Sequence, residues 1–111
     1  MLFRSVYNEV SRKHRSLYYY RTASGVEVDF IVETALRRPD SPPHVIAIEV
    51  KRSERWDRAW EKPMRSLAES AGVTVEKMIG VYCGSKSYQF DKIKVLPVSD
   101  FIKALFSGEI F

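Results

Sequence analysis

The sequence predicts one α/β domain on a mixed β-sheet, in the order helix, strand, strand, strand, helix, strand, strand, helix, with the helices packed on the sheet. Three observations carry that expectation. The chain opens on an apolar stripe, Leu2, Phe3, Val6 and Val10, at the spacing of one helix face. Residues 26–33 alternate apolar and polar side chains, the mark of a strand with one face covered. Residues 45–48 read Val-Ile-Ala-Ile, apolar on both faces, as a central strand requires.

The opening helix is expected over 2–13, where the stripe gives way to the polar run Ser11 to His14. Leu17 to Thr22 is dense in tyrosine and reads as a strand, with Tyr18, Tyr19 and Tyr20 on alternating faces. Ala23-Ser24-Gly25 makes a tight turn into a second strand, Val26 to Glu33, completing a hairpin. On that strand Glu27, Asp29, Ile31 and Glu33 share one face, and Val26, Val28, Phe30 and Val32 the other. Pro39, Pro42 and Pro43 make 36–43 a loop, after which His44 to Lys51 forms the third strand. Ser53 to Trp60 is charged; Trp56 and Trp60 would share one face if it is helical, packing in a core or an interface. Pro63 suits the first turn of a helix that continues to Ala71 and is stopped by Gly72. Val73 to Tyr82 gives a fourth strand, Gly84 to Ser87 a turn, and Tyr88 to Val98 a fifth strand. Ser99 and Asp100 can cap a last helix, Phe101 to Phe106, closed by Gly108.

With 111 residues, 45% of them apolar, there is material for one core, so residues 1–111 are expected to form a single domain. The one cysteine, Cys83, excludes an intramolecular disulfide framework and a cysteine-rich zinc site; it reads as a small buried apolar residue, and the chain as cytoplasmic. His14 and His44 are too far apart to form a local zinc pair. No apolar run approaches the roughly 20 residues of a membrane span. The formal charge of +4 is uneven, because Arg4, Arg12, Lys13, Arg15 and Arg21 face only Glu9 in the first 21 residues. A patch of that size is compatible with phosphate backbones, and equally with a solvated helix and loop.

The chemistry concentrates at the end of the third strand. A buried strand has no place for an ionised side chain unless it is paired or bound to metal. Glu49 and Lys51 nevertheless follow the apolar run and share a face. A Glu-x-Lys pair is also common as a surface ion pair, and Asp29 alone fits an ordinary half-exposed strand. If the two strands pair, however, Asp29, Glu49 and the Val50 carbonyl can ligate a hard cation such as magnesium, with manganese as a substitute. Lys51 would then orient an attacking water. Glu9, at the edge of the first helix's stripe and near Lys13, can reach a site above the sheet, or be a solvated helix carboxylate. Arg52, Arg55 and Arg58 would meet phosphates beside Lys51, in a field diluted by Glu54 and Asp57.

Glu9 on a helix, Asp29 after Gly25-Val26-Glu27-Val28, then Ile48-Glu49-Val50-Lys51 resembles the PD-(D/E)XK nuclease superfamily in order and spacing. More narrowly, Tyr19-Tyr20-Arg21-Thr22, Gly25 to Phe30 and Ala47 to Ser53 resemble the uncharacterised carboxyl-terminal domain of many prokaryotic AAA-type ATPases, over most of residues 1–100. The resemblance implies a restriction endonuclease-like fold and a metal-dependent active site of Glu9, Asp29, Glu49 and Lys51. It also implies that the chain is a fragment or relative of a larger ATPase, with the ATPase domain of the parent chain as a partner. No Gly-x-x-x-x-Gly-Lys-Ser/Thr motif occurs, so no ATP site is expected in the chain itself.

Two functions follow as expectations: a magnesium-dependent DNA endonuclease, or a catalytically silent module of the same fold that binds a partner or regulates an ATPase. The glutamine motif that the resemblance to the superfamily implies on the following helix is missing from Pro63 to Ala71, and this, the mild charge and an exposed tryptophan pair speak for the second.

Overall fold

The structure is a computed structural model that describes residues 2–13, 17–21, 27–34, 40–70 and 72–111; of residues 2, 3, 17–21 and 27 it describes the backbone alone. Its elements are α1 (Leu2–Arg12), β1 (Leu17–Arg21), β2 (Glu27–Glu33), β3 (His44–Val50), a 3-10 turn (Arg58–Glu61), α2 (Lys62–Ala68), β4 (Thr74–Tyr82), β5 (Tyr88–Phe90), β6 (Ile93–Pro97) and α3 (Val98–Ser107). The turn expected at Ala23-Ser24-Gly25, His14, the side chains of the three tyrosines and loop residues 36–39 lie outside the described residues.

The strands form one mixed sheet in the order β1-β2-β3-β4-β6-β5. The β1–β2, β2–β3 and β5–β6 pairs are antiparallel, whereas β3–β4 and β4–β6 are parallel. A parallel β3–β4 pair needs a crossover, and α2 supplies it on one face of the sheet. Met64 and Leu67 of α2 pack there against Val28, Ile31, Val45, Ala47, Met78, Ile93 and Val95. On the other face α1 and α3 place Val6, Val10, Phe101 and Leu105 against Phe30, Val32, Ile46, Ile48, Ile79 and Val81. Both faces of β3 are therefore covered, which is why its run is apolar on both sides and why any charge at its end is expensive. Among the described residues no helix is long and apolar enough to cross a membrane.

Three elements differ from the sequence expectation. Strict alternation along β2 fails at Asp29, because Tyr18 pairs with Ile31 but Tyr20 with Val28. Asp29 and Phe30 thus stand opposite the single residue Tyr19, a β-bulge that puts Val28 and Ile31 in the same core cluster. The expected fifth strand is two, β5 and β6, reversed at Asp91, whose φ of 56° is left-handed. Aspartate tolerates that backbone, and Gln89 Nε2 donates to the Asp91 carbonyl at 2.8 Å. The last helix begins at Val98 with no side-chain cap, so Ser99 and Asp100 lie inside it, and Asp100 in the first turn complements the helix dipole. Gly108 closes it with φ 83°, as its position predicts. The segment after it is held by lysines: Lys13 Nζ donates to the Phe111 carbonyl, and Lys77 Nζ to that of Glu109 at 2.8 Å.

Candidate functional site

The β2–β3 ladder runs from Glu33 opposite Val45 to Phe30 opposite Ile48. Beyond that pair the bulge frees Asp29 to take the next donor, and its Oδ2 accepts the Val50 N–H at 2.8 Å. Asp29 is thereby pinned at the end of β3, beside Glu49. Glu49 alternates with Val45 and Ala47, so it faces the α2 side of the sheet, and only 4% of it is exposed. Its backbone partner on β4 is Gly80, where a Cβ would lie 2.5 Å from the Trp56 ring. Glycine here lets an indole lie against the backbone and wall off one side of Glu49.

Burial first, and then the charge and hydrogen bonding of Asp29, push the Glu49 carboxyl up to about 8 from an ordinary 4.5. Lys51 opposes this: its Nζ is 3.6 Å from Glu49 Oε1. The ion pair does not offset desolvation plus a neighbouring carboxylate, so without a bound cation Glu49 holds its proton at neutral pH. Its Oε2 is buried and, among the described residues, has no hydrogen-bond partner. Two carboxylates held side by side, one of them buried, can share a proton or share a hard cation, and a buried carboxylate oxygen without a partner among the described residues fits the second as well as the first. Lys51 Nζ also lies 5.6 Å from the Trp60 ring centroid, a cation–π contact that keeps a half-buried ammonium beside the carboxylates.

The fourth expected member does not join them. α1 packs on the opposite face of the sheet from Glu49, and the Glu9 carboxylate accepts from Arg12 at 2.7 and 3.1 Å, with Lys13 at 3.8 Å. The hydrogen bond from Arg12, against the opposing effect of burial, holds Glu9 below the usual carboxylate range. The helix register that was to aim Glu9 at the site spends it on its own turn, through neighbours three and four residues on. Among the described residues no group of three or more histidine, cysteine, aspartate or glutamate side chains is placed to hold a metal. What converges is a pair, Asp29 and Glu49, with Lys51. The Val50 amide is occupied by Asp29.

Other expectations are corrected or redistributed. Cys83 is exposed, in the turn after β4, and not a buried filler. His44 lies at the opposite end of β3 from Glu49, paired with Glu76 at 3.1 Å. Trp56 and Trp60 are half-buried rather than exposed, and meet edge to face at 5.3 Å outside any α-helix. Arg52 and Arg55 are exposed, but Arg58 is spent on Glu61 and on the Phe90 ring 4.3 Å away.

Glu61 is the residue the sequence reading missed. It is 1% exposed and accepts from Trp56 Nε1 at 2.9 Å, Arg65 at 2.9 Å and Arg58 at 3.3 Å. Burial would raise this carboxyl, but the hydrogen bonds from Trp56, Arg65 and Arg58 outweigh it and hold the value low. The signal was present in the spacing: arginines three residues before and four after Glu61 lie on its side of a helical turn.

Residues 2–101 match the family described as Domain of unknown function (DUF4143). No curated protein and no solved structure matches the chain. The match spans the bulged β2 strand, β3 and the candidate pair together with α2 and the β4–β6 sheet, and by its extent the chain belongs to the DUF4143 family.

Proposed function

We propose that this chain is a PD-(D/E)XK-type nuclease domain, with a restriction endonuclease-like fold, that hydrolyses DNA phosphodiesters with one divalent cation held by Asp29 and Glu49. In its family setting it serves an attached AAA-type ATPase. The observation that carries the reading is the buried Glu49 carboxyl, whose Oε2 has no partner among the described residues, while Lys51 approaches its Oε1 and Asp29 lies beside it. Magnesium, with manganese as a substitute, would be held by Asp29, Glu49 and the Val50 carbonyl; when bound it polarises a phosphodiester oxygen and acidifies water.

The chain's own residues do the rest. Asp29, fixed by the Val50 N–H, presents carboxylate charge at a set position. Glu49 would have to give up its proton to hold a cation. Lys51, between Glu49 and Trp60, stands where an ammonium can orient the attacking water and stabilise negative charge developing on phosphorus-bound oxygens. Exposed Arg52 and Arg55 follow directly in sequence and can take flanking phosphates.

A second reading has its own support. Glu9 is engaged by Arg12 and Lys13, and two carboxylates with a lysine already at ion-pair distance describe a metal-free, silent module that binds a partner or regulates an ATPase. The two separate on cleavage of single-stranded, duplex and branched DNA with magnesium or manganese. Nuclease function requires metal-dependent cleavage that Lys51→Ala abolishes; cleavage surviving in that variant rejects the assignment, and no cleavage of any form supports the silent module.

A further inference from the structure

Lys51 is a flexible side chain on the residue after β3 ends, and its ammonium lies between Glu49 and the face of Trp60. Trp60 lies outside β3, in the 3-10 turn Arg58–Glu61. Its ring is set edge to face against Trp56, whose own ring lies on Gly80, the β4 partner of Glu49. Trp56 in turn is held at its one polar atom, the indole N–H, by Glu61. Glu61 is anchored from two further directions, by Arg58, which stacks on Phe90 of β5, and by Arg65 of α2.

We propose that Glu61 is a positioning residue for Lys51, acting through the Trp56–Trp60 pair. The chain of contacts is continuous: carboxylate to indole N–H at 2.9 Å, indole to indole at 5.3 Å, indole to ammonium at 5.6 Å. An ammonium on a four-carbon stem is otherwise free to turn into solvent, and an indole face is the strongest aromatic platform for holding it. Because Glu61 is buried and bonded on three sides, it fixes the indole of Trp56 on which the Trp60 ring rests. This rests on Lys51 being the water-orienting group of the proposed reaction, but the placement of Lys51 can be read without any reaction.

The test is nuclear magnetic resonance of the full chain with lysine carrying carbon-13, the Lys51 signals being assigned by Lys51→Arg. An ammonium arm over an indole face has its ε-methylene protons shifted upfield by the ring current. Trp60→Leu must remove that shift. Glu61→Gln keeps an acceptor for the Trp56 N–H and is expected to retain the shift; Glu61→Ala is expected to lose it. Should Glu61→Ala not fold, Trp56→Phe keeps a ring and loses the N–H, and is expected to lose the shift as well. A folded Glu61→Ala or Trp56→Phe protein with the Lys51 shift intact, or a wild-type protein without one, overturns the proposal. Cleavage assays on the same proteins separate the two readings: loss of the shift with no cleavage even in the wild type leaves Glu61 positioning Lys51 and rejects the nuclease. With an active wild type, kcat is expected to fall roughly tenfold or more in Glu61→Ala, within what a placed group that stabilises developing charge contributes, at unchanged manganese affinity.

Discussion

Glu49→Gln tests the account of the buried carboxyl most sharply. The folded protein raises this group from 4.5 to about 8, so folding favours its protonated form. Stability from the protonated group is complete below 4.5 and is lost as pH rises through 8. At about 1.4 kcal/mol per pH unit, the full linkage across that interval is on the order of 5 kcal/mol. Local relaxation and water entry reduce what is measured, and a loss of about 2 kcal/mol or more between pH 5 and 9.5 is the expected result. Glutamine has the same shape and no charge to bury, so the variant should lack this contribution. Urea unfolding of both proteins across that range, without divalent ions, isolates it from every other titrating group. The curves should lie within about 1 kcal/mol of each other at pH 5 and separate at pH 9.5, the variant being the more stable. Parallel curves would refute the reasoning, because they would mean that Glu49 ionises in the fold as easily as in water.

Other consequences are as specific. Asp29→Asn removes the charge that adds to the effect of burial, so the Glu49 titration followed by carbon-13 resonance should move down from about 8 yet stay above 4.5. Gly80→Ala places a Cβ 2.5 Å from a Trp56 ring tethered to Glu61, and should cost about 1–3 kcal/mol in denaturant unfolding with a changed tryptophan emission. Phe30→Ala empties a fully buried position between α1 and the sheet, and should cost about 3–5 kcal/mol with no effect on the Lys51 resonance. Glu9→Gln should leave divalent-ion affinity unchanged by calorimetry, since Glu9 is bonded within α1 away from the pair; a tenfold loss would place it back in the site.

The parts of the fold legible in sequence were those set by local pattern. The α1 stripe, the doubly apolar β3 and Gly108 each announce themselves, because one face, two faces or a left-handed residue is demanded by the neighbours in sequence. The bulge at Asp29 was not legible, since it is a property of the β1–β2 register and appears in neither strand alone. The Asp91 reversal was hidden for a related reason: Asp-Lys lacks the glycine that usually marks a two-residue hairpin turn. At the site, Asp29, Glu49 and Lys51 could be picked out because charges at the end of a buried strand conflict with their surroundings. Glu9 could not be placed, because a helix glutamate three and four residues from Arg12 and Lys13 looks the same whether it reaches inward or pairs locally. Glu61 escaped notice because its burial and the indole N–H from the loop before it are set by tertiary packing, which the arginine spacing alone does not reveal.

The central claim is that Asp29 and Glu49 together hold one divalent cation, and calorimetric titration of manganese into the wild-type chain and into Asp29→Asn, Glu49→Gln tests it most directly. At pH 7, in buffers of different ionisation enthalpy, the account predicts one saturable site that releases close to one proton per ion, because Glu49 must deprotonate to bind. The double variant should show neither the binding nor the proton. Binding of equal strength in the double variant, or no binding in the wild type, would contradict the claim.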